Sequence, residues 1–257
     1  MKLCFSTLGC PDWDVNQVAK HGKLYGYDGV ELRISGDRHI DPSLTPAQRR
    51  QVKDMFADAG LTIAAISGYT SFCGDDNAQL DENAANLLIN AQLAADLGAP
   101  YVRTFMGAGA PFTDLGAKAL RQACNSAHKL GVTVLMEIHD AIESGKQAAD
   151  LIKTVNSPGL AILWDIHHSL NSGETPADTW RYVGEYIRHV HIKDLDAGDK
   201  ACMVGQGVLP VAEIVKLLAE KGFDGYLSFE WEKTWIPELE PPEVALPHYI
   251  EYMRGLE

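Results

Sequence analysis

Three features of the chain predict a single (β/α)8 barrel, the TIM barrel architecture. Eight short apolar, β-branched runs recur along it, each followed by a segment whose apolar residues keep helical spacing. Glycines end several of those segments just before the next run, at ADAG-LTI, ADLG-APYV, HKLG-VTV and EKGFDG-YLS. The length of 257 residues, 46% of them hydrophobic, suits one such barrel, so a single domain over 1–257 is expected. The main rival is a doubly wound open sheet. It would carry a glycine fingerprint after its first strand, where this chain has LGCPDW.

The elements follow in order. KLCFST (2–7) reads as the first strand, and WDVNQVAKHGKLYG as a helix with Val15, Val18 and Leu24 on its apolar side and Asp12 or Asp14 as its cap. YDGVELR (27–33) is the second strand, then a loop, then a helix over 45–60 with Pro46 in its first turn and Gly60 as its stop. LTIAAIS (61–67) precedes DENAANLLINAQLAADLG, a helix with Leu87, Leu88, Ala91, Ala94 and Ala95 at helical spacing. YVRTFM (101–106) precedes DLGAKALRQACNSAHKLG. VTVLMEIH, LAILWDIH, IRHVHIKD and YLSFEWE are the last four strands, followed in turn by SGKQAADLIKTV, PADTWRYVGEY, LPVAEIVKLLAEKG and PPEVALPHYIEYMRG as helices. The proline-rich acidic loop KTWIPELEPPE (233–243) reads as a stiff lip over the barrel mouth.

Charge narrows the partners. A formal net charge of −13 disfavours a nucleic-acid backbone, whose phosphates need basic patches, and fits an enzyme of small molecules that holds a cation. The five cysteines form no CxxC pair and read as reduced thiols of a cytoplasmic protein. No signal peptide or membrane span is expected.

In such barrels the strand C-terminal ends build the active site. Four of the runs end on a hard metal-ligand type: Glu137 in VLMEIH, Asp165 in ILWDIHH, His191 in HVHIKD and Glu230 in LSFEWE. Each residue alone has an ordinary explanation: a solvated rim carboxylate, a core histidine, a helix cap. Together they converge if the barrel closes. Strand parity puts Glu137 with His139 on one face, His189 with His191 and Lys193, and Ser228 with Glu230 and Glu232. Three carboxylates and one imidazole suit one divalent ion, with Mn²⁺ or Mg²⁺ favoured by the oxygen-rich set and Co²⁺ or Zn²⁺ also admissible.

The order and spacing of GVELR, VLMEIH, DIHH, HVHIKD, the GQG turn and SFEWE resemble the xylose isomerase-like barrel superfamily of sugar isomerases and epimerases across essentially the whole chain. The resemblance to its ketose 3-epimerases implies a metal on Glu137, Asp165, His191 and Glu230, with His168 and Glu143 on substrate oxygens. Where those enzymes place an arginine, this chain has Ala197. The implied chemistry is proton transfer next to the carbonyl of an open-chain sugar, keto-sugar or related polyol through an enediolate, with Glu137 and Glu230 as the acid–base pair.

Other residues keep two readings. Lys193 either steadies an oxyanion or pairs with Asp194 or Glu137. Arg103 either holds an anionic substrate group or pairs with Glu137 or Glu31. His139 either touches substrate or supports a ligand, and Glu31 reads as a structural rim residue. Trp235 is a lid contact, whereas Trp164 should face the helices.

Two further activities belong to the same superfamily. A dehydratase acting on a keto-inositol or similar keto-polyol would begin with the same proton abstraction. A DNA-repair endonuclease of the endonuclease IV type, with three zinc ions, needs histidines where Ser67, Gly68, Arg103 and Thr104 stand, and an Asp-x-His where ACMVGQG stands. The expected partner is a small sugar or polyol, with no nucleic acid and no membrane; assembly as a homodimer or homotetramer is left open.

Overall fold

Parallel strands buried on both faces need continuous apolar runs, and these eight runs close into a barrel. The computed structural model describes residues 1–35 and 39–256, so part of the loop expected after the second strand lies outside the described residues. The barrel strands are β1 (Lys2–Ser6), β2 (Gly29–Arg33), β3 (Thr62–Ser67), β4 (Tyr101–Thr104), β5 (Thr133–Glu137), β6 (Leu160–Asp165), β7 (Ile187–Ile192) and β10 (Tyr226–Phe229). They pair in parallel in the closed order β1-β10-β7-β6-β5-β4-β3-β2. Between β7 and β10 lies a short antiparallel pair that the sequence reading did not anticipate, β8 (Asp194–Leu195) with β9 (Ala201–Cys202).

Among the described residues the helices are α1 (Val15–Tyr25), α2 (Pro46–Ala59), α3 (Asn77–Leu97), α4 (Asp114–Lys129), α5 (Gly145–Val155), α6 (Ile166–Asn171), α7 (Pro176–Val183), α8 (Val211–Glu220) and α9 (Pro242–Arg254). Their starts follow capping chemistry. Asp14 with Gln17, Thr45 with Gln48 and Ser144 with Gln147 each exchange reciprocal hydrogen bonds at a helix N-terminus. The helix expected from residue 81 begins earlier, because Asp76 accepts from the amides of Ala78 and Gln79. The short α6 was also unanticipated; Asp165 caps it through the His167 amide. Leu24 and Leu88 fall on solvent-facing sides of their helices.

The alternation of side chains sorts the core into two zones. Outward residues such as Val30, Leu32, Met136, Ile162, Trp164, Val190 and Phe229 pack against the helices in one continuous apolar shell. Trp164 therefore faces the helices as expected, its indole N–H donating to Ser169 Oγ at 2.7 Å. Inside the barrel the lower layers are small apolar groups: Cys4, Ala64 and Tyr226 on one side, Leu135, Ala161 and Leu163 on the other. Above them the interior turns polar, with Glu31, Ser67, Arg103, Glu137, Asp165, His191 and Glu230 all buried.

The GQG turn has a mechanical role. The Asp194 carboxylate accepts from the amides of Leu195, Gly205, Gly207 and Leu209. Gly205 has φ +87°, and a Cβ on Gly207 would lie 2.2 Å from Asp194 Oδ1, so both positions exclude side chains. The turn anchors the chain after β7, and Lys193, on the opposite face from Asp194, points into the barrel mouth.

Candidate active site

The four strand ends meet. Glu137, Asp165, His191 and Glu230 each offer one ligand atom, and these atoms lie within 4.8 Å of one another, all four residues buried. Strand register produces this: Asp165 is opposite His191, His191 is opposite Ser228, and the Glu230 amide donates to Ile192 O at 3.0 Å.

His191 Nδ1 is 2.8 Å from Glu137 Oε1 and 3.2 Å from Glu230 Oε1. The other oxygen of each glutamate is held by a cation. Arg103 Nη1 is 3.1 Å from Glu137 Oε2, and Lys193 Nζ is 2.5 Å from Glu230 Oε2. Lys193 also lies 3.0 Å from Asp165 Oδ2 and 3.0 Å from Glu232 Oε1, so its partners are not the Asp194 or Glu137 considered from the sequence. Arg103 is fixed further by donation to Gly68 O at 3.2 Å and by the Phe105 ring 4.2 Å from its guanidinium carbon.

Electrostatics favour the ionised forms of Glu230 and Asp165. Burial opposes charge on Glu230, but His191, Lys193 and Arg103 outweigh it and hold the carboxyl well below the usual range. Asp165 is lowered despite its burial, mainly by Lys193. Burial favours neutral His191, yet Glu230, Glu31 and Glu137 together push its pKa well above the ordinary imidazole value.

Do these residues fit a metal ion? Glu137 Oε1 and His191 Nδ1 are buried and make no hydrogen bond of acceptable geometry, whereas Asp165 Oδ2 has the Lys193 ammonium 3.0 Å away. Such orphaned atoms are costly unless something else meets their lone pairs. Charge points the same way. Four buried carboxylates, Glu31, Glu137, Asp165 and Glu230, face two buried fixed cations, Arg103 and Lys193. A divalent ion, with His191 neutral, brings that group to neutrality. The donor set of oxygens and one imidazole nitrogen fits a divalent ion.

A cavity of about 140 Å³ opens above the cluster, lined by Leu8, Tyr69, Arg103, Phe105, Glu137, His139, Glu230, Glu232 and Trp235. Trp235 is 61% exposed at its mouth, with the Arg33 guanidinium 5.4 Å from the ring centre. The His139 and His168 rings pack with centres 4.1 Å apart, tilted by 57°, and burial, with Asp165 opposing, lowers the His168 pKa. His139 also lies 2.9 Å from Asp140 Oδ1. Glu143 is not brought here. It is exposed, in a separate depression with Ser144, Glu174 and Tyr182, because it belongs to a loop outside the barrel register. Ala197 stands in the exposed turn between β8 and β9. A larger depression of about 340 Å³, lined in part by Tyr101, Trp180, Arg188 and Phe223, lies at the opposite end of the barrel, away from the ionisable cluster.

Residues 19–256 match the family described as xylose isomerase-like TIM barrel. The chain belongs to that family. Fructoselysine 3-epimerase of Escherichia coli O157:H7 is 22% identical to this xylose isomerase-like barrel over 274 residues, covering 100% of this chain and 98% of that protein. Among solved structures, L-ribulose 3-epimerase superposes with a TM-score of 0.82 at 20% identity, over 99% of this chain and 93% of that one. D-Psicose 3-epimerase from Clostridium cellulolyticum H10 gives 0.81 at 15% identity, over 100% and 99%. The probable 3-DHS dehydratase from Bacillus anthracis gives 0.80 at 20%, over 99% of each chain. At these identities the structural likeness establishes the fold. Among the described residues no helix is long and apolar enough to cross a membrane.

Sequence reasoning missed Glu31. Rather than standing on the rim, it is fully buried beneath the cluster, in contact with His189 and His191. The signal was present in GVELR, where Glu31 alternates with Val30 and Leu32 and so shares the inward face of β2.

Proposed function

We propose that this protein is a divalent-metal-dependent sugar isomerase or epimerase that moves a proton next to a carbonyl of an open-chain sugar, keto-sugar or polyol. The observation that carries this reading is the paired arrangement of Glu137 and Glu230. Each presents one oxygen toward His191 Nδ1 and has the other held by a cation, Arg103 and Lys193 respectively.

Glu137, Asp165, His191 and Glu230 would hold the ion. When bound, a divalent ion supplies Lewis-acid polarisation of a carbonyl oxygen and lowers the cost of the negative charge that develops there. The remaining work falls to the protein. Glu137 and Glu230 both line the cavity and act as base and acid, one removing the proton beside the carbonyl and the other returning one to form the product. Arg103 and Lys193 hold the two carboxylates in fixed rotamers. His139 and His168 are the contacts for substrate hydroxyls. Tyr69 and Trp235 cover the mouth and limit water.

The relatives named as 3-epimerases support a sugar as substrate. A panel of ketoses, keto-inositols and keto-acids, incubated with Mn²⁺-loaded protein in D2O and followed by NMR, tests the reading. Deuterium at the carbon next to the carbonyl of an isomerised product is expected. Loss of water from the substrate would instead assign a dehydratase, and no exchange with any member would overturn the proposal.

A further inference from the structure

Glu31 crosses the barrel. It stands on β2, yet its partners come from β3, β7 and β10. Oε2 lies 2.8 Å from His189 Nε2 and 2.9 Å from His191 Nε2 and accepts from Ser228 Oγ at 3.0 Å, and Ser67 Oγ donates to Oε1. The residue is fully buried, as are all four partners.

Ser67 Oγ and Ser228 Oγ each donate to one oxygen of Glu31, so the carboxylate is the acceptor in this cluster. The ring proton of His191 that faces Glu31 must therefore sit on Nε2. As a metal ligand His191 must be neutral, with one N–H and one lone pair, so fixing the proton on Nε2 leaves the lone pair on Nδ1. That nitrogen is the one turned toward Glu137 Oε1 and Glu230 Oε1, and it is buried without a hydrogen bond. The opposite tautomer would aim an N–H at the ion and a lone pair at a carboxylate, unfavourable on both sides.

We infer that Glu31 is a positioning residue for the metal centre: by accepting from Nε2 it sets the tautomer and ring orientation of His191 and so makes Nδ1 the ligand atom. This rests on the proposed metal centre and adds the residue that orients its only nitrogen donor. Metal-bound histidines are commonly held this way through their second nitrogen.

A second ion among Glu31, His189 and His191 is the competing interpretation, since their atoms also cluster. The distances favour hydrogen bonds. Both ring nitrogens lie 2.8–2.9 Å from the same oxygen, and Ser228 adds a third donor to it at 3.0 Å. Three donors already converge on Oε2, where a cation would instead have to bring the nitrogens' lone pairs inward. His189, with its Nδ1 buried and unpartnered, serves here as a second anchor on the same carboxylate.

Calorimetric titration with Mn²⁺ alone tests the inference in the full-length protein. Wild type should bind one ion, and Glu31→Gln, which places an N–H₂ among donors, should bind it about 10- to 100-fold more weakly. Thermal unfolding in EDTA shows whether the variant is folded. A folded Glu31→Gln with wild-type affinity overturns the inference and leaves the metal centre standing; a wild type that binds no Mn²⁺ overturns both. Two ions per chain, one lost in Glu31→Gln with the other bound at wild-type affinity, would assign the competing site. NMR of Zn²⁺-loaded, ¹⁵N-histidine wild type needs no variant: a proton on His191 Nε2 and metal on Nδ1 are expected, and the reverse assignment refutes the inference.

Discussion

The proposed metal centre makes a quantitative demand on stability. Without an ion, Glu31, Glu137, Asp165 and Glu230 share two fixed cations, Arg103 and Lys193, in a buried space. An ion that binds the folded chain alone adds RT ln(1 + [L]/Kd), about 2.7 kcal/mol at a hundred times Kd. For a chain of this size each kcal/mol moves the melting temperature by about 2–4 °C. Mn²⁺ at that excess should therefore raise the melting temperature by roughly 5–10 °C over an EDTA-treated sample, and EDTA should reverse the gain. Asp165→Asn is the decisive control. It keeps the side-chain volume and the Oδ1 acceptor that caps α6 at the His167 amide, and it neutralises the ligand carboxylate, whose Oδ2 has the Lys193 ammonium 3.0 Å away. The Mn²⁺-dependent gain should fall below about 2 °C in this variant, a large loss of the linkage energy. Differential scanning calorimetry reads both. No gain in wild type, or an equal gain in Asp165→Asn, refutes the reasoning.

Three other perturbations follow from the same contacts. Lys193→Met leaves Asp165 and Glu230 without their shared cation, and breaking a buried pair of this kind costs about 3–5 kcal/mol. Urea unfolding in EDTA should show that loss, with a smaller one in Mn²⁺, and equal losses in both would count against a shared site. Asp194→Ala removes the acceptor for four backbone amides of the GQG turn and should cost about 2–4 kcal/mol, with a loss under about 0.5 kcal/mol contradicting its structural role. Trp235→Ala removes an exposed ring at the cavity mouth, so stability should stay within about 0.5 kcal/mol while KM rises more than kcat falls. A change in kcat alone would argue against a lid contact.

What was legible in the sequence follows from where physical constraint is strong. Strands and helices were legible because a parallel barrel imposes apolar runs and capped helices, and the glycine stops at Gly60, Gly98, Gly131 and Gly222 all adopt positive φ. Glu137, Asp165, His191 and Glu230 were legible because strand ends in a closed barrel can converge only at the mouth. Loops impose no such register. That is why Glu143 was placed by spacing alone and lies outside the cavity. The partners of Lys193 were missed for a related reason, since pairing across β6, β7 and β10 depends on barrel closure rather than on neighbours in sequence. Glu31 escaped because its partners come from three other strands, although parity alone put it inside.

The central claim is that Glu137 and Glu230 act on one carbon from two sides. Hydrogen–deuterium exchange of a turned-over sugar in D2O, read by NMR for wild type, Glu137→Gln and Glu230→Gln in Mn²⁺, tests it directly. Wild type should interconvert the substrate pair with deuterium incorporated. Each variant should lose interconversion by about 10²–10⁴-fold, yet still exchange the proton of one partner of the pair, a different partner in each variant. Interconversion at the wild-type rate in either variant would contradict the account.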